Sequence, residues 1–258
     1  MIAIIPARYA SMRLPGKLLL EIAGKPLIVH TLAQASKART VSRVIVATDD
    51  ERIFRVVTEA GGEAVMTSAD HNSGSDRIAE VAKGLPEDSI IVNVQGDEPM
   101  ISPDTIDAAV NALMEDGNAD IATTSEAITE VDDELMNGNV VKVVTNDAGY
   151  AVYFSRSPIP YPREAILKYG GPDDALTAEP NLLSLFRKHT GLYVYRREFL
   201  LRFTKMPQSK LEKVEMLEQL RALENGARIR VVEVSGSSIG VDTVEDLERV
   251  RALLEAHG

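Results

Sequence analysis

Short, unbroken apolar runs separated by helical periodicities dominate the first hundred residues. Ile2-Ala3-Ile4-Ile5 has no polar position, the pattern of a strand buried on both faces. Val44-Ile45-Val46-Ala47 repeats it, and Ile90-Ile91-Val92-Asn93-Val94 repeats it again with one polar residue. Between the first two runs, Pro26 suits the start of a helix through Leu27, His30, Thr31 and Leu32. After the second, Thr48-Asp49-Asp50 supplies a helix cap. Ile53, Val56, Val57 and Ala60 form that helix's apolar stripe, and Gly61-Gly62 stops it. This alternation predicts an α/β fold with a doubly wound parallel sheet.

The pattern changes in the middle of the chain. Val140 to Val144 and Tyr150 to Phe154 flank Asn146-Asp147-Ala148-Gly149, which reads as a hairpin. The proline-rich Ser157 to Pro162 and the Gly170-Gly171-Pro172-Asp173-Asp174 segment predict an excursion from the sheet, with some mobility. Order resumes at Thr190 to Tyr195. Ser209 and Glu212 have capping-box spacing before one helix carrying Leu211, Glu215, Leu217, Glu218 and Leu220. A strand over 229–234 and a helix from about Val244 close the chain, and there is no internal repeat.

Composition narrows the function classes. The 258 residues are 45% hydrophobic and 26% charged, an ordinary globular balance for one large domain or a domain with an insertion. The absence of cysteine excludes disulfides, thiolate metal sites and cysteine nucleophiles. Met1 to Pro6 is too short to span a membrane and lacks the lead-in and cleavage site of a signal peptide, so a cytoplasmic protein is expected. A net charge of −11 argues against binding nucleic acid. Any anionic substrate then needs a local reversal of sign. Met1 to Leu20 provides one, with Arg8, Arg13 and Lys17 and no acid.

Three features at predicted strand ends carry candidate chemistry, because ligands of open α/β sheets bind beyond the carboxyl ends of strands. The loop Pro6 to Lys17 brings three cations, and Gly16 permits close backbone approach; it reads as a triphosphate loop or as a solvated basic loop. It matches neither common phosphate motif. A Walker loop needs Gly at Ser11 and Ser or Thr at Leu18, and a dinucleotide fingerprint needs a Gly-x-G-x-x-Gly that is missing. In Gln95-Gly96-Asp97-Glu98-Pro99, Asp97 is either a ligand for a hard divalent cation or a turn residue. In Val241-Asp242-Thr243, Thr243 and Asp246 can cap the last helix, so Asp242 is either a structural residue or free to join Asp97 in a magnesium site. His30 reads as a satisfied or surface residue of a helix, His71 and His257 as loop and tail residues, and no spacing suits zinc. His189 differs, preceding a strand with Tyr193 four residues on, in the region expected to close over the sheet.

Together these residues resemble the 3-deoxy-manno-octulosonate cytidylyltransferases, or CMP-Kdo synthetases. The likeness runs through Ile4 to Ser11, Arg13 to Lys17, Ile45 to Asp49, Ser73 to Arg77, Val92 to Pro99, Tyr153 to Arg156, Glu215 to Arg221 and Gly240 to Thr243. It implies a Rossmann-like nucleotide-diphospho-sugar transferase fold, doubly wound and mostly parallel. One domain spans 1–258, with an insertion over about 138–195 for dimerisation and the sugar side. The implied reaction joins CMP from CTP to Kdo, releasing pyrophosphate, with Mg2+, in a homodimer that serves lipopolysaccharide synthesis. By position, Arg8, Ser11, Arg13 and Lys17 would hold phosphates, and Arg77 and Gln95 the cytosine or its surroundings. Asp97 and Asp242 would hold magnesium, with Arg8, Lys17 and both aspartates carrying catalysis. Arg156, His189, Tyr193, Glu218 and Gln219 would line the sugar site. Ser75-Asp76 stands where Thr-Glu is more usual, and the segment 164–186 is long for the family. The alternatives are activation of 8-amino-Kdo or a sialic acid, transfer from another nucleotide, and a non-catalytic sensor on the same fold.

Overall fold

A computed structural model describes residues 1–10, 14–235 and 239–256. The chain opens with β1 (Ile2–Ala7), the two-residue strands β2 (Glu21–Ile22) and β3 (Lys25–Pro26), α1 (Leu27–Ala35), β4 (Arg43–Thr48), α2 (Glu51–Glu59) and β5 (Glu63–Met66). It continues through α3 (Gly74–Ala82), β6 (Ile90–Asn93), α4 (Pro103–Glu115), β7 (Ile121–Ala127), β8 (Lys142–Thr145) and β9 (Ala151–Ser155). Then follow α5 (Arg163–Tyr169), α6 (Pro172–Ala178), β10 (Arg187–Arg196), α7 (Arg197–Phe203), α8 (Lys210–Glu215), α9 (Glu218–Glu224), β11 (Ile229–Glu233) and α10 (Val244–Ala256).

Seven strands lie in the order β11-β7-β10-β6-β1-β4-β5, and the β8–β9 hairpin joins the same sheet through β10. β1 runs parallel to β4 and β6, with Ile4 opposite Ile45 on one side and Asn93 on the other. Helices cover both faces, which is why the first strands carry no polar alternation. Ile5, Val46 and Val92 pack with Leu27, Ile53, Ile106 and Val250 on one side. Ile4, Ala47 and Ile91 pack with Ile78, Leu200 and Leu220 on the other. Each buried Val, Leu or Ile among them contributes roughly 2 kcal/mol.

Three findings differ from the sequence reading. β7 is a buried strand with almost no apolar run: Thr123, Thr124, Ser125 and Glu126 are all buried. Partners on β10 meet three of these side chains: the Thr123 hydroxyl donates to Leu192 O at 2.6 Å, Thr124 bonds Thr190, and Glu126 pairs with Lys188. The single helix expected after Ser209 is two helices. Its capping box forms, but Met216 at φ 56° and ψ 47° ends α8 in the left-handed region, and α9 starts afresh at Glu218. The excursion beyond Pro162 holds α5, α6 and a 3-10 turn (Pro180–Leu185); it shares a small apolar cluster of Leu176 and Phe186 with Ile128 and Leu135 after β7, and has another around Ile166 and Ala175. Among the described residues, no helix is long and apolar enough to cross a membrane.

Candidate active site

β1 and β6 end side by side, and two glycines let their loops fold over the sheet edge. A Cβ on Gly96 would stand 3.0 Å from the carbonyl oxygen of Pro6, a backbone atom with no room to move. Gly16 lies at φ 68° against the Tyr9 ring, and its N–H donates to Tyr9 O at 3.1 Å, closing the loop. The following 3-10 turn (Lys17–Leu19) buries Leu18 in the core and sends Lys17 into the site.

There the Lys17 ammonium donates to Asp97 Oδ2 at 2.6 Å, Asp242 Oδ1 at 2.8 Å and Val241 O at 2.8 Å. All three of its hydrogens are thereby engaged. Burial alone would lower the Lys17 pKa, but Asp97 and Asp242 outweigh it and hold the pKa above the ordinary lysine value. The carboxylates arrive from distant elements. Asp97 follows β6, and Val241 N–H donates back to Asp97 O at 2.9 Å, locking the two loops together. Thr243 and Asp246 cap α10 reciprocally, as expected, and Asp246 also accepts from the Asp242 N–H.

One ammonium between two carboxylates leaves an excess negative charge on hard oxygens. That donor set suits magnesium, which binds through one or two carboxylates and completes its shell with substrate phosphates and water. Among the described residues no third His, Cys, Asp or Glu joins them, so phosphate oxygens would have to contribute.

A cleft of about 320 Å³ adjoins this cluster, lined by Arg8, Lys17, Ser73, Gln95 and Asp97 together with Gly74 and Gly96. Arg8 reaches across it to His71 O at 2.7 Å. Ser73 caps α3, accepting from Asp76 N–H at 3.1 Å, so the positive end of that helix also faces the cleft. Gln95 Nε2 donates to Asn93 Oδ1 at 3.1 Å and Gly191 O at 3.3 Å, linking the end of β6 to β10. Arg77 is fully buried and ties α3 to the ends of β4 and β5, through Asp49 at 2.8 Å and Thr67. Ser11 and Arg13, assigned to the phosphates, lie outside the described residues, as does His257. A second concavity, about 950 Å³, shares Asn72 and Ser73 with this cleft and includes Glu218, but none of Lys17, Asp97 or Asp242. The charged groups that suit triphosphate chemistry therefore sit in the smaller cleft.

The residues assigned to the sugar gather around β10 and the start of α9. Arg156 is held by α8: its Nε donates to Glu215 O at 2.7 Å and its N–H to Glu215 Oε2 at 2.9 Å, while another guanidinium nitrogen reaches Gly138 O at 2.9 Å. The His189 ring packs edge-on to Phe154 at 5.0 Å and tilted on Tyr193 at 5.2 Å. Desolvation lowers the His189 pKa to about 3 and raises that of Tyr193, where the Glu218 charge adds to the effect. Glu218 accepts from Ser75 Oγ at 2.6 Å, and Gln219 is buried beside it in α9. Sequence reasoning gave no site role to Glu215, Ser75, Thr123 or Asp49. Each acts on a partner far away in the chain, and no local pattern marks such a contact.

Comparison with known proteins places this arrangement. The cytidylyltransferase family profile matches residues 2–229. A 3-deoxy-manno-octulosonate cytidylyltransferase from Geobacter sulfurreducens (strain ATCC 51573 / DSM 12127 / PCA) is 54% identical over 248 residues, covering 96% of each chain. The protein of that name from Trichlorobacter lovleyi (strain ATCC BAA-1151 / DSM 17278 / SZ) is 52% identical, covering 97% of this chain and 96% of its own. Among solved structures, a CMP:2-keto-3-deoxy-manno-octonic acid synthetase complexed with CTP superimposes with a TM-score of 0.88 at 41% identity, covering 100% of this chain and 99% of that one.

Proposed function

Because the chain belongs to the 3-deoxy-manno-octulosonate cytidylyltransferase family, we propose that it transfers CMP from CTP to Kdo, releasing pyrophosphate, to supply lipopolysaccharide synthesis in the cytoplasm. The observation that carries this reading is the Lys17–Asp97–Asp242 cluster beside a cation-lined cleft at the ends of β1 and β6.

The anomeric hydroxyl of Kdo attacks the α-phosphorus of CTP; an O–P bond forms, the bond to pyrophosphate breaks, and the hydroxyl proton is released. Positioning and charge neutralisation dominate such a transfer. Arg8 and Lys17, with Arg13 on the same loop, neutralise charge growing on the leaving pyrophosphate, and Ser11 of that loop offers the phosphates a hydroxyl. Asp97 and Asp242 would hold Mg2+, which would supply charge to polarise the α-phosphate and ease loss of the hydroxyl proton. Lys17, bound here to both carboxylates, would turn to phosphate oxygens when the nucleotide is bound. Gln95 stands beside the nucleotide, and Arg77 braces the strand ends around it. Arg156 offers the charge that an acidic sugar requires, with His189, Tyr193, Glu218 and Gln219 shaping its pocket. The protein works as a homodimer, and the segment over about 138–195, which exposes Val152, Tyr161, Leu167 and Leu185, contributes to that contact.

Pyrophosphate release from CTP and magnesium, measured with Kdo, 8-amino-Kdo and a sialic acid in turn, tests the reading. Turnover is expected with Kdo. No release with Kdo, or release only with another sugar, would reject it.

A further inference from the structure

β10 is interrupted where it passes β7. His189 lies opposite Ser125 and Tyr193 opposite Thr123, so four steps along β10 match two along β7. In a regular strand, residues four apart stand about 13 Å from each other. The bulge shortens the backbone path between His189 and Tyr193, and their rings lie 5.2 Å apart. Thr123 Oγ1 meets both parts of this irregularity. It lies 2.6 Å from Leu192 O inside the bulge and 2.8 Å from His189 Nε2.

A threonine hydroxyl has one hydrogen. Leu192 O is a carbonyl and can only accept, so that hydrogen goes to it. The hydroxyl oxygen must then accept from the imidazole, which places the ring's hydrogen on Nε2. A neutral imidazole carries only one N–H, and Nδ1 is left with a lone pair. The surroundings keep the ring neutral, since Phe154 and Tyr193 enclose it. A neutral ring with a hydrogen on Nε2 cannot offer a hydrogen to a carboxylate through Nδ1. It can accept one from a hydroxyl.

We propose that Thr123 is a positioning residue that holds His189 as the Nε2–H tautomer, so that Nδ1 accepts a hydrogen bond from a hydroxyl of the sugar substrate. The sugar's carboxylate is left to Arg156. The inference rests on the functional reading above for the identity of the ligand, while the tautomer itself does not depend on it.

The test uses the full-length protein labelled with 15N in its four histidines. Long-range 1H–15N correlation distinguishes a protonated from a bare ring nitrogen, and the His189→Asn variant identifies the His189 signal. The expected wild-type spectrum shows a protonated Nε2 and a bare Nδ1; a protonated Nδ1 overturns the proposal without any threonine variant. Thr123→Val, which keeps the volume and removes the hydroxyl, should shift the ring to a tautomer mixture. It should also raise KM for Kdo on the order of tenfold, as loss of one hydrogen bond implies, leaving KM for CTP unchanged. Thr123→Ser should restore both. An unchanged tautomer in Thr123→Val, or an unchanged KM for Kdo, counts against the proposal. Failure of wild-type protein to turn over CTP with Kdo would instead reject the functional reading, since the spectrum is read without substrate.

Discussion

Lys17 and His189 show how one side chain's surroundings set its chemistry. Lys17 is charged where it stands because two carboxylates outweigh the cost of burying it. Removing it leaves Asp97 and Asp242 facing each other and takes a donor from the leaving pyrophosphate. Lys17→Ala should therefore lower kcat/KM in the pyrophosphate assay on the order of a hundredfold or more. Asp97→Asn should leave a folded protein, by circular dichroism, with no magnesium-dependent turnover. Near-normal activity would count against the metal assignment. His189 is the opposite case. Its pKa falls from the ordinary 6.5 to about 3 by desolvation, so the folded protein does not take up a proton there until strongly acid pH. The unfolded chain does so as pH falls through 6.5, so stability is intact above that value and is lost on acidification toward 3. Between pH 7 and 5 this amounts to ~2 kcal/mol. Urea unfolding of His189→Gln at the two pH values should show an acid loss smaller by about that amount.

At the scale of elements, the site depends on where helices and strands stop. α8 ends at Met216, and the turn that follows sets Glu215 against Ser155 and Arg156 while presenting Glu218 to Ser75. One continuous helix would carry Glu215 and Glu218 round a common axis and could not serve both the end of β9 and α3. Glu215→Gln should weaken the hold on Arg156, raising KM for Kdo severalfold while KM for CTP stays the same; equal rises in both would contradict the assignment of Arg156 to the sugar side. Ser209→Ala removes the capping box at the start of the same helix. It should cost about 1 kcal/mol of stability in thermal or urea unfolding. The periodicity after Ser209 was legible in the sequence and so was its cap. The break was not, because a methionine in the left-handed region carries no signal that a glycine would.

For the whole molecule, the expected homodimer predicts a particle of twice the 28.1 kDa chain mass in light scattering, with Tyr161→Asp and Leu167→Asp reducing it toward the monomer. The parallel half of the sheet was readable from sequence because strands covered on both faces must be apolar at their centres, and β1, β4 and β6 are, with polar residues only at the ends of β4 and β6. The helix caps at Asp50 and Ser209 were readable because a cap is a contact between near neighbours. The order of strands was not readable. β10 enters antiparallel between β6 and β7, and β7 hides its burial behind threonines and a glutamate whose partners come from β10. The candidate site divides in the same way. The run of cations from Arg8 to Lys17 lies within ten residues and marks an anion loop without any fold, and the later motifs carry the family resemblance. That Lys17 bridges Asp97 and Asp242, 80 and 225 residues away, follows only from the packing of three loop segments at one sheet edge. The same holds for Thr123 fixing His189. The sequence by itself determined which elements form and which residue types can do the chemistry, because both are local. Tertiary structure decided which charges meet, because those contacts depend on the path of the chain between them.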